Sequence, residues 1–399
     1  MHTAGTTRFL DVMARRTMPA SEGALHHVYL IPGFFGFGNL GEVTYFRAVR
    51  ETLERDFAAR GVPVRVFSVA TFPTGSLKRR ATRVIETIEQ TGGLEHAGAI
   101  HLVGHSTGGI DARVVAAECE SLAAPAVSAK LRERLRTVVS VSSPHYGTPL
   151  ANFFTTLYGK KLLYFITLLV FVGLWRRPIA LAGGLMGFGY KLYDLLGLNE
   201  SLLRQFTNQL LRNFTRERES EVRVYLDSIL NDVSLMVQLS PESMEMLNAS
   251  LHTPAGVRHV SYGTVSPPPA VSIRRARLRD LITPLSTVLY TTVYTLTSKP
   301  EDGFQYHPPV DAREAVTGLR LPFDLDPTAN DGVVPALSQI HGEFRGFVRA
   351  DHLDVVGHYL RGPLEAYDGA DWFKSGARFD LARFEQLWGD VADVLTGRA

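Results

Sequence analysis

Residues 99–110, AIHLVGHSTGGI, constrain what this chain can fold into more than any other stretch. Ile100, Leu102 and Val103 form a short apolar strand that stops at Gly104-His105-Ser106-Thr107-Gly108, after which Ile110, Val114 and Val115 supply the apolar face of a helix. A strand that becomes a helix this abruptly needs glycines around the turn, because no side chain fits there. It also brings the helix N-terminus, with its unpaired N–H groups and positive dipole end, up to the residue at the apex. That residue is Ser106, predicted to hold its hydroxyl clear of the sheet in a strained backbone conformation, the arrangement of a nucleophile elbow. G-x-S-x-G also arises in ordinary glycine-rich turns, so the reading depends on partners elsewhere in the chain.

Strand and helix alternate around this turn. Residues 25–31 read as a strand, followed by the loop Pro32-Gly33-Phe34-Phe35-Gly36-Phe37-Gly38, whose glycines let the backbone approach another group closely. A helix is predicted over 43–60, with Phe46, Val49, Leu53 and Phe57 on one face, then a strand over 64–70, a helical core over 82–90 and a second buried strand over 137–142. This alternation predicts a parallel sheet with right-handed crossovers. With 399 residues, 45% of them hydrophobic, the chain can bury a large core as one large or two modest domains. The 42 basic and 40 acidic residues nearly balance, so no global field points to nucleic acid as a partner. A lone cysteine, Cys119, excludes an intramolecular disulfide. The first twenty residues contain no continuous apolar run of the secretory kind, which makes a cytoplasmic or peripheral membrane location the default expectation.

Past Ser143-Pro144-His145-Tyr146-Gly147-Thr148-Pro149-Leu150 the alternation ends. The expected division is an N-terminal extension over 1–21, a core over 22–152 and 256–399, and a helical lid or cap inserted over 153–255. Residues 162–175, LLYFITLLVFVGLW, carry no charge between Lys160-Lys161 and Arg176-Arg177. A helix of that length is about 21 Å long and falls short of the roughly 30 Å hydrocarbon core, so it should not span a bilayer alone. A buried core helix and a hydrophobic lid fit it equally, and the cations flanking it, like Arg274, Arg275, Arg277 and Arg279, suit an anionic lipid surface touched through 160–190. Further helices are expected over 201–214 and 241–249, a strand over 258–262, a surface excursion over 274–320 and an amphipathic helix over 379–395.

Two late motifs supply the partners of Ser106. Asn330-Asp331-Gly332 is a turn that presents a carboxylate, and Ala350-Asp351-His352-Leu353-Asp354 places a histidine on a loop after a strand. The order Ser106, Asp331, His352 is the one a nucleophile elbow requires, with the acid orienting the base and the base taking the serine proton. Asp324 and Asp326 compete for the acid role, and His341 and His358 for the base. Backbone N–H groups of Thr107 and Phe34 are the expected oxyanion donors. His105 and His145 read as hydrogen-bonded structural residues.

The segments LIPGFFGFGNL, LVGHSTGG, SSPHYGTPLA, LSPESMEMLN, ANDGVVP and DHLDVVGH together resemble the bacterial true lipases of the Pseudomonas and Burkholderia type, within the α/β-hydrolase superfamily. The resemblance covers most of the chain but not the lid or residues 264–325. It implies an α/β-hydrolase fold, with a mostly parallel central sheet flanked by helices, a hydrophobic lid after Pro149, and triacylglycerol lipase or carboxylesterase chemistry on hydrophobic esters. It also implies Ser106, Asp331 and His352 as triad, Phe34 and Thr107 as oxyanion donors, and a structural calcium ion beside the base, for which Asp354 matches one carboxylate ligand and Asp311 is a guess from spacing. Calcium prefers six to eight oxygens, and Asp354 could equally cap the turn that follows it. Pro32 stands where those lipases usually have histidine, and the family disulfide cannot form. The same triad would serve a polyester depolymerase or an acyltransferase. Two further alternatives are a small-ester esterase or thioesterase whose lid is core, and a membrane-binding protein on an inert hydrolase scaffold.

Overall fold

The computed structural model describes residues 24–34, 45–174, 207, 208, 211, 215–269, 282–299, 327–359 and 373–399. Strands β1 (His26–Ile31), β2 (Val64–Ser68), β3 (Ala99–His105), β4 (Leu135–Val141), β5 (Arg258–Val265) and β6 (Glu343–Arg349) form one sheet in the order β2-β1-β3-β4-β5-β6. Every neighbouring pair is parallel. The strand order reverses at β1, so the connections after β1 and β3 leave in opposite directions and open a crevice at the carboxyl ends of these two strands. The Pro32-Gly33-Phe34 loop and the Ser106 turn both sit at that crevice.

Helices cover both faces, which is why β3 is buried along its whole length and reads as a continuous apolar run. Val28 and Leu30 of β1 face α1 (Arg47–Ala59) and the C-terminal helix, packing with Leu53, Phe57, Leu387 and Trp388. Tyr29 and Ile31, on the opposite face by the two-residue period, pack with α2 (Leu77–Gln90), the short α3 (Gly93–His96), α4 (Thr107–Leu122) and α5 (Pro125–Arg134). Helix α2 starts five residues before its predicted core because Ser76 accepts the Arg79 N–H as an N-cap, although the first turn is mostly charged.

Between β4 and β5 the chain leaves the sheet for α6 (Pro149–Thr155), α7 (Leu157–Leu174), α8 (Arg216–Asn231), α9 (Ser234–Gln238) and α10 (Pro241–Ser250). Helix α7 begins before the expected apolar stretch and takes Lys160 and Lys161 into its first turns. Its Leu162, Leu163 and Tyr164 are buried against the same core as Val222, Leu226 and Ile229 of α8, so this half of the helix packs on the protein. No described helix is long and apolar enough to cross a membrane. Helices α8 and α9 are tied to the β2–α2 loop: the Thr74 hydroxyl donates to the Ser228 carbonyl at 3.2 Å, Leu235 N–H to the Thr74 carbonyl at 3.0 Å and Leu77 N–H to Gln238 Oε1 at 2.8 Å.

One sequence expectation is corrected here. Residues 274–320 were expected to form a surface excursion without periodicity, yet 282–297 form a helix, α11 (Ile282–Thr297), whose Tyr290, Val293, Tyr294 and Thr297 are buried. Their spacing is helical, but interspersed threonines, poor helix formers, mask the period in the sequence. The last helix, α12 (Leu381–Thr396), is capped by Asp380 and ends at Gly397 with φ 73°. The expected extension over 1–21, most of the helix over 201–214, the part of 160–190 beyond Leu174, Arg274, Arg275, Arg277, Arg279, Asp311, Asp324 and Asp326 lie outside the described residues.

Candidate active site

Ser106 has φ 57° and ψ −130°, a left-handed conformation that a side chain adopts only where the surroundings enforce it. The enforcement is steric. A Cβ on Gly104 would strike the Gly108 backbone, one on Gly108 would strike the Ile31 carbonyl, and one on Gly109 would strike Ser143. Strand β3 and helix α4 therefore cross at a distance only glycine permits, and Ser106 N–H is anchored to the Val141 carbonyl at 2.9 Å. Thr107, the first residue of α4, has a backbone N–H that no carbonyl of the helix can reach. A Cβ on Gly33 would lie 2.5 Å from the Ser106 Cβ, so the loop after β1 rests directly on the elbow.

The structure brings Asp331 and His352 together. His352 Nδ1 donates to Asp331 Oδ2 at 2.8 Å, which leaves Nε2 as the ring's free lone pair. Asp331 is fully buried, and its desolvation is offset by hydrogen bonds to both oxygens. Oδ1 accepts the N–H groups of Val333 and Val334 at 2.9 and 2.8 Å, and Oδ2 accepts the Thr264 hydroxyl at 2.7 Å. Gln339 braces the same turn: its Oε1 accepts Thr264 N–H at 2.7 Å, and its Nε2 donates to the Thr264 and Val334 carbonyls at 2.9 and 3.2 Å. The His352 ring lies 4.7 Å from that of His105, next to the serine, although His352 Nε2 and Ser106 Oγ are not hydrogen-bonded in this conformation.

The rival residues go elsewhere. His341 stacks on His145 at 4.5 Å, and the His358 ring faces Tyr45 at 6.3 Å. His145 lies between Arg113 Nη1, which donates to its Nδ1 at 3.2 Å, and the Ser140 hydroxyl, 2.9 Å from its Nε2. His105 contacts the Tyr45 hydroxyl and the His352 carbonyl. Burial pushes the pKa values of both His105 and His145 well below the usual histidine range, so they are neutral structural groups, as expected.

The support of the Pro32 loop was not legible in the sequence. Arg80, fully buried on α2, forms an ion pair with Asp111 of α4 through Nε and Nη2, with Nη2 2.7 Å from Oδ2. The same guanidinium donates to the Pro32 carbonyl at 2.9 Å and to the Phe72 carbonyl. The planar fork thus locks the loop to the elbow helix, and Pro32 contributes only its carbonyl. Thr264, Gln339 and the Arg80–Asp111 pair sit in segments whose sequence shows only ordinary polar residues; a buried arginine inside an amphipathic helix was the one available signal. A further tie comes from α8, where the Tyr225 hydroxyl donates to the Phe34 carbonyl at 3.1 Å.

An apolar cavity of about 50 Å³ ends on Ser106 and Thr107. Its walls are Phe34, Leu150 and Phe154 of α6, Met236 and Leu239 at α9, and Val293 of α11. A cavity this small leaves a long acyl chain no room unless a wall moves. Ser106, 6% exposed, lies under this roof, and His352 is buried as well.

The calcium expectation meets a poor ligand set. Asp354 Oδ2 accepts the Asp351 N–H at 2.9 Å, while Asp351 Oδ1 accepts those of Leu353 and Asp354 at 3.0 and 3.2 Å, a reciprocal cap of one turn. Asp351 Oδ2 also accepts the Ser375 hydroxyl. These oxygens are engaged by the protein, and no group of three or more metal-capable side chains occurs among the described residues. Asp354 thus caps its turn through Oδ2, while Asp311 lies outside the described residues.

No family model matches the chain. Over 125 residues it is 30% identical to a triacylglycerol lipase of Vibrio cholerae, a match covering 31% of this chain and 34% of that protein. Over 135 residues it is 29% identical to a triacylglycerol lipase of Pseudomonas fragi, covering 34% and 40%. The chain thus spans between a third and two fifths of the length of these curated relatives. Among solved structures it is similar to lipase 1 of Pelosinus fermentans, with TM-score 0.50 and 17% identity over 92% of this chain and 99% of that one. The Staphylococcus hyicus lipase gives TM-score 0.50 and 14% identity, covering 95% and 97%. At such identities the likeness concerns the fold, which is that of an α/β-hydrolase.

Proposed function

We propose that this chain is a serine carboxylic ester hydrolase of the lipase and esterase kind, related to the bacterial true lipases and acting on lipid or other hydrophobic esters. The observation that carries the reading is an apolar cavity ending on the apex of a strained elbow, with a buried His–Asp pair beside it. Ser106 Oγ attacks the ester carbonyl as His352 Nε2 takes its proton, and Asp331 holds the imidazole in the required tautomer and stabilises the imidazolium. The backbone N–H groups of Phe34 and Thr107 receive the oxyanion. His352 returns the proton to the leaving alcohol, and water activated by the same base releases the acid from acyl-Ser106.

Residues 153–255 serve as the cap in this reading, with α11 completing the roof, and substrate entry requires one of these walls to move. The cavity's apolar lining favours an aliphatic acyl group over a polar one. Hydrolysis of p-nitrophenyl esters from short to long acyl chains, with Ser106→Ala beside the parent protein and fluorophosphonate labelling as a second readout, tests the proposal. Acid release abolished by Ser106→Ala is the expected result. Absence of release at every chain length, or full activity in Ser106→Ala, refutes it.

A further inference from the structure

His105 occupies the last position of β3, immediately before the nucleophile, and both of its ring nitrogens are engaged. Nε2 lies 2.8 Å from the main-chain carbonyl oxygen of His352. A carbonyl only accepts, so Nε2 must carry the proton. The ring is fully enclosed and burial keeps it neutral, which leaves Nδ1 as a bare lone pair. The Tyr45 hydroxyl, 2.6 Å away, therefore donates to Nδ1. Donation runs in one direction along the chain Tyr45, His105, His352, and the carbonyl at its end forces each role.

We propose that Tyr45 and His105 are positioning residues, a strut beneath Ser106 that fixes the main chain of the catalytic base. The proposal rests on the hydrolase reading above and adds residues that touch neither substrate nor reacting atoms. The strut meets the base twice, through its main-chain carbonyl and through ring contact at 4.7 Å. Its function depends on the tautomer. If the proton moved to Nδ1, the Nε2 lone pair would face the His352 carbonyl, and repulsion would displace the base. Tyr45, by offering a donor, selects the tautomer that attracts. A displacement on the order of 1 Å at such a site can lower turnover by up to about a hundredfold.

The experiment compares Tyr45→Phe, His105→Leu, His105→Gln and the Tyr45→Phe/His105→Leu double variant on a p-nitrophenyl ester, with melting temperatures and the imidazole nitrogen NMR spectrum of the parent protein. Tyr45→Phe is expected to lower kcat roughly tenfold with KM nearly unchanged. His105→Leu should lower it at least as far, and His105→Gln, whose amide can still donate toward the His352 carbonyl, should recover most of the loss. The double variant should be no worse than His105→Leu, because the two residues act through one chain. Unchanged kcat in Tyr45→Phe, or losses that simply add, overturns the strut. Should a variant fail to fold, the parent spectrum decides: a protonated Nδ1 on His105 overturns the proposal and a protonated Nε2 supports it. A parent protein inert on every ester refutes the hydrolase reading instead, and the tautomer still reports on the strut.

Discussion

Lowering the pH from about 7.5 toward about 4.5 should unfold this protein through its histidines before most carboxylates titrate. His101, His105, His145 and His341 are each held well below the usual histidine range by burial. In the unfolded chain the same side chains take up protons near pH ~6.5. Because the native values are depressed, the stabilisation is complete above that pH and is lost as the pH falls toward the native values. Through this window each histidine removes about 1.4 kcal/mol per pH unit, and the four together about 5.5 kcal/mol per unit. His27 and His259, pushed down to about 4, act in the same direction. Asp111 opposes them: burial raises its pKa, so the native state binds that proton first. A net stability of about 5 to 15 kcal/mol would be exhausted within roughly one to three units below the histidine value. With an unfolding entropy of about 0.8 kcal/mol/K for a chain this long, Tm should fall by about 7 °C per pH unit. Thermal melts followed by circular dichroism at successive pH values measure it. A Tm that moves by less than about 2 °C between about pH 7.5 and about pH 5.5 would refute the reasoning.

Further outcomes follow from the site. Arg80→Ala leaves Asp111 buried without its cation and should cost about 3 to 5 kcal/mol, read as a lower denaturation midpoint in urea. Gly33→Ala places a methyl group 2.5 Å from the Ser106 Cβ, which should push the loop off the elbow and lower kcat roughly a hundredfold in steady-state ester hydrolysis. Thr264→Val removes one donor to Asp331 and should lower kcat roughly three- to tenfold with KM unchanged, since Val333, Val334 and His352 still hold the carboxylate. A chelator should leave the melting temperature unchanged, because Asp351 and Asp354 are engaged in capping their own turn; a clear drop would restore the calcium ligand.

Much of the sheet and the polar heart of the site could be read from the residues. The elbow was legible because its glycines leave few alternatives, and β1, β3 and β4 because buried parallel strands are continuous apolar runs. Asp331 and His352 could be singled out because each lies in a turn that displays one chemistry-bearing side chain, and the structure pairs Asp331 with His352, not with His341 or His358. The helix over 282–297 was hidden by its threonines. The histidine residues flanking the chemistry, His105 and His145, were recognised as structural, but their partners Tyr45, Arg113 and Ser140 were not, since nothing in a sequence marks which distant hydroxyl or guanidinium will meet a ring.

By itself the sequence determined the alternation of strand and helix around the elbow, the tight turn at Ser106 and the candidate identity of nucleophile, acid and base, because these follow from local sterics, from apolar periodicity and from the short list of side chains able to do the chemistry. The tertiary structure alone decided how the site is braced. Arg80 grips the Pro32 carbonyl, Thr264 and Gln339 hold the Asp331 turn, Tyr45 and His105 reach the His352 carbonyl, and Val293 closes the cavity, each across a separation in sequence that local propensity cannot bridge. The reason is that buried polar groups must all be satisfied at once, and which groups meet is settled only when the helices have packed on the sheet.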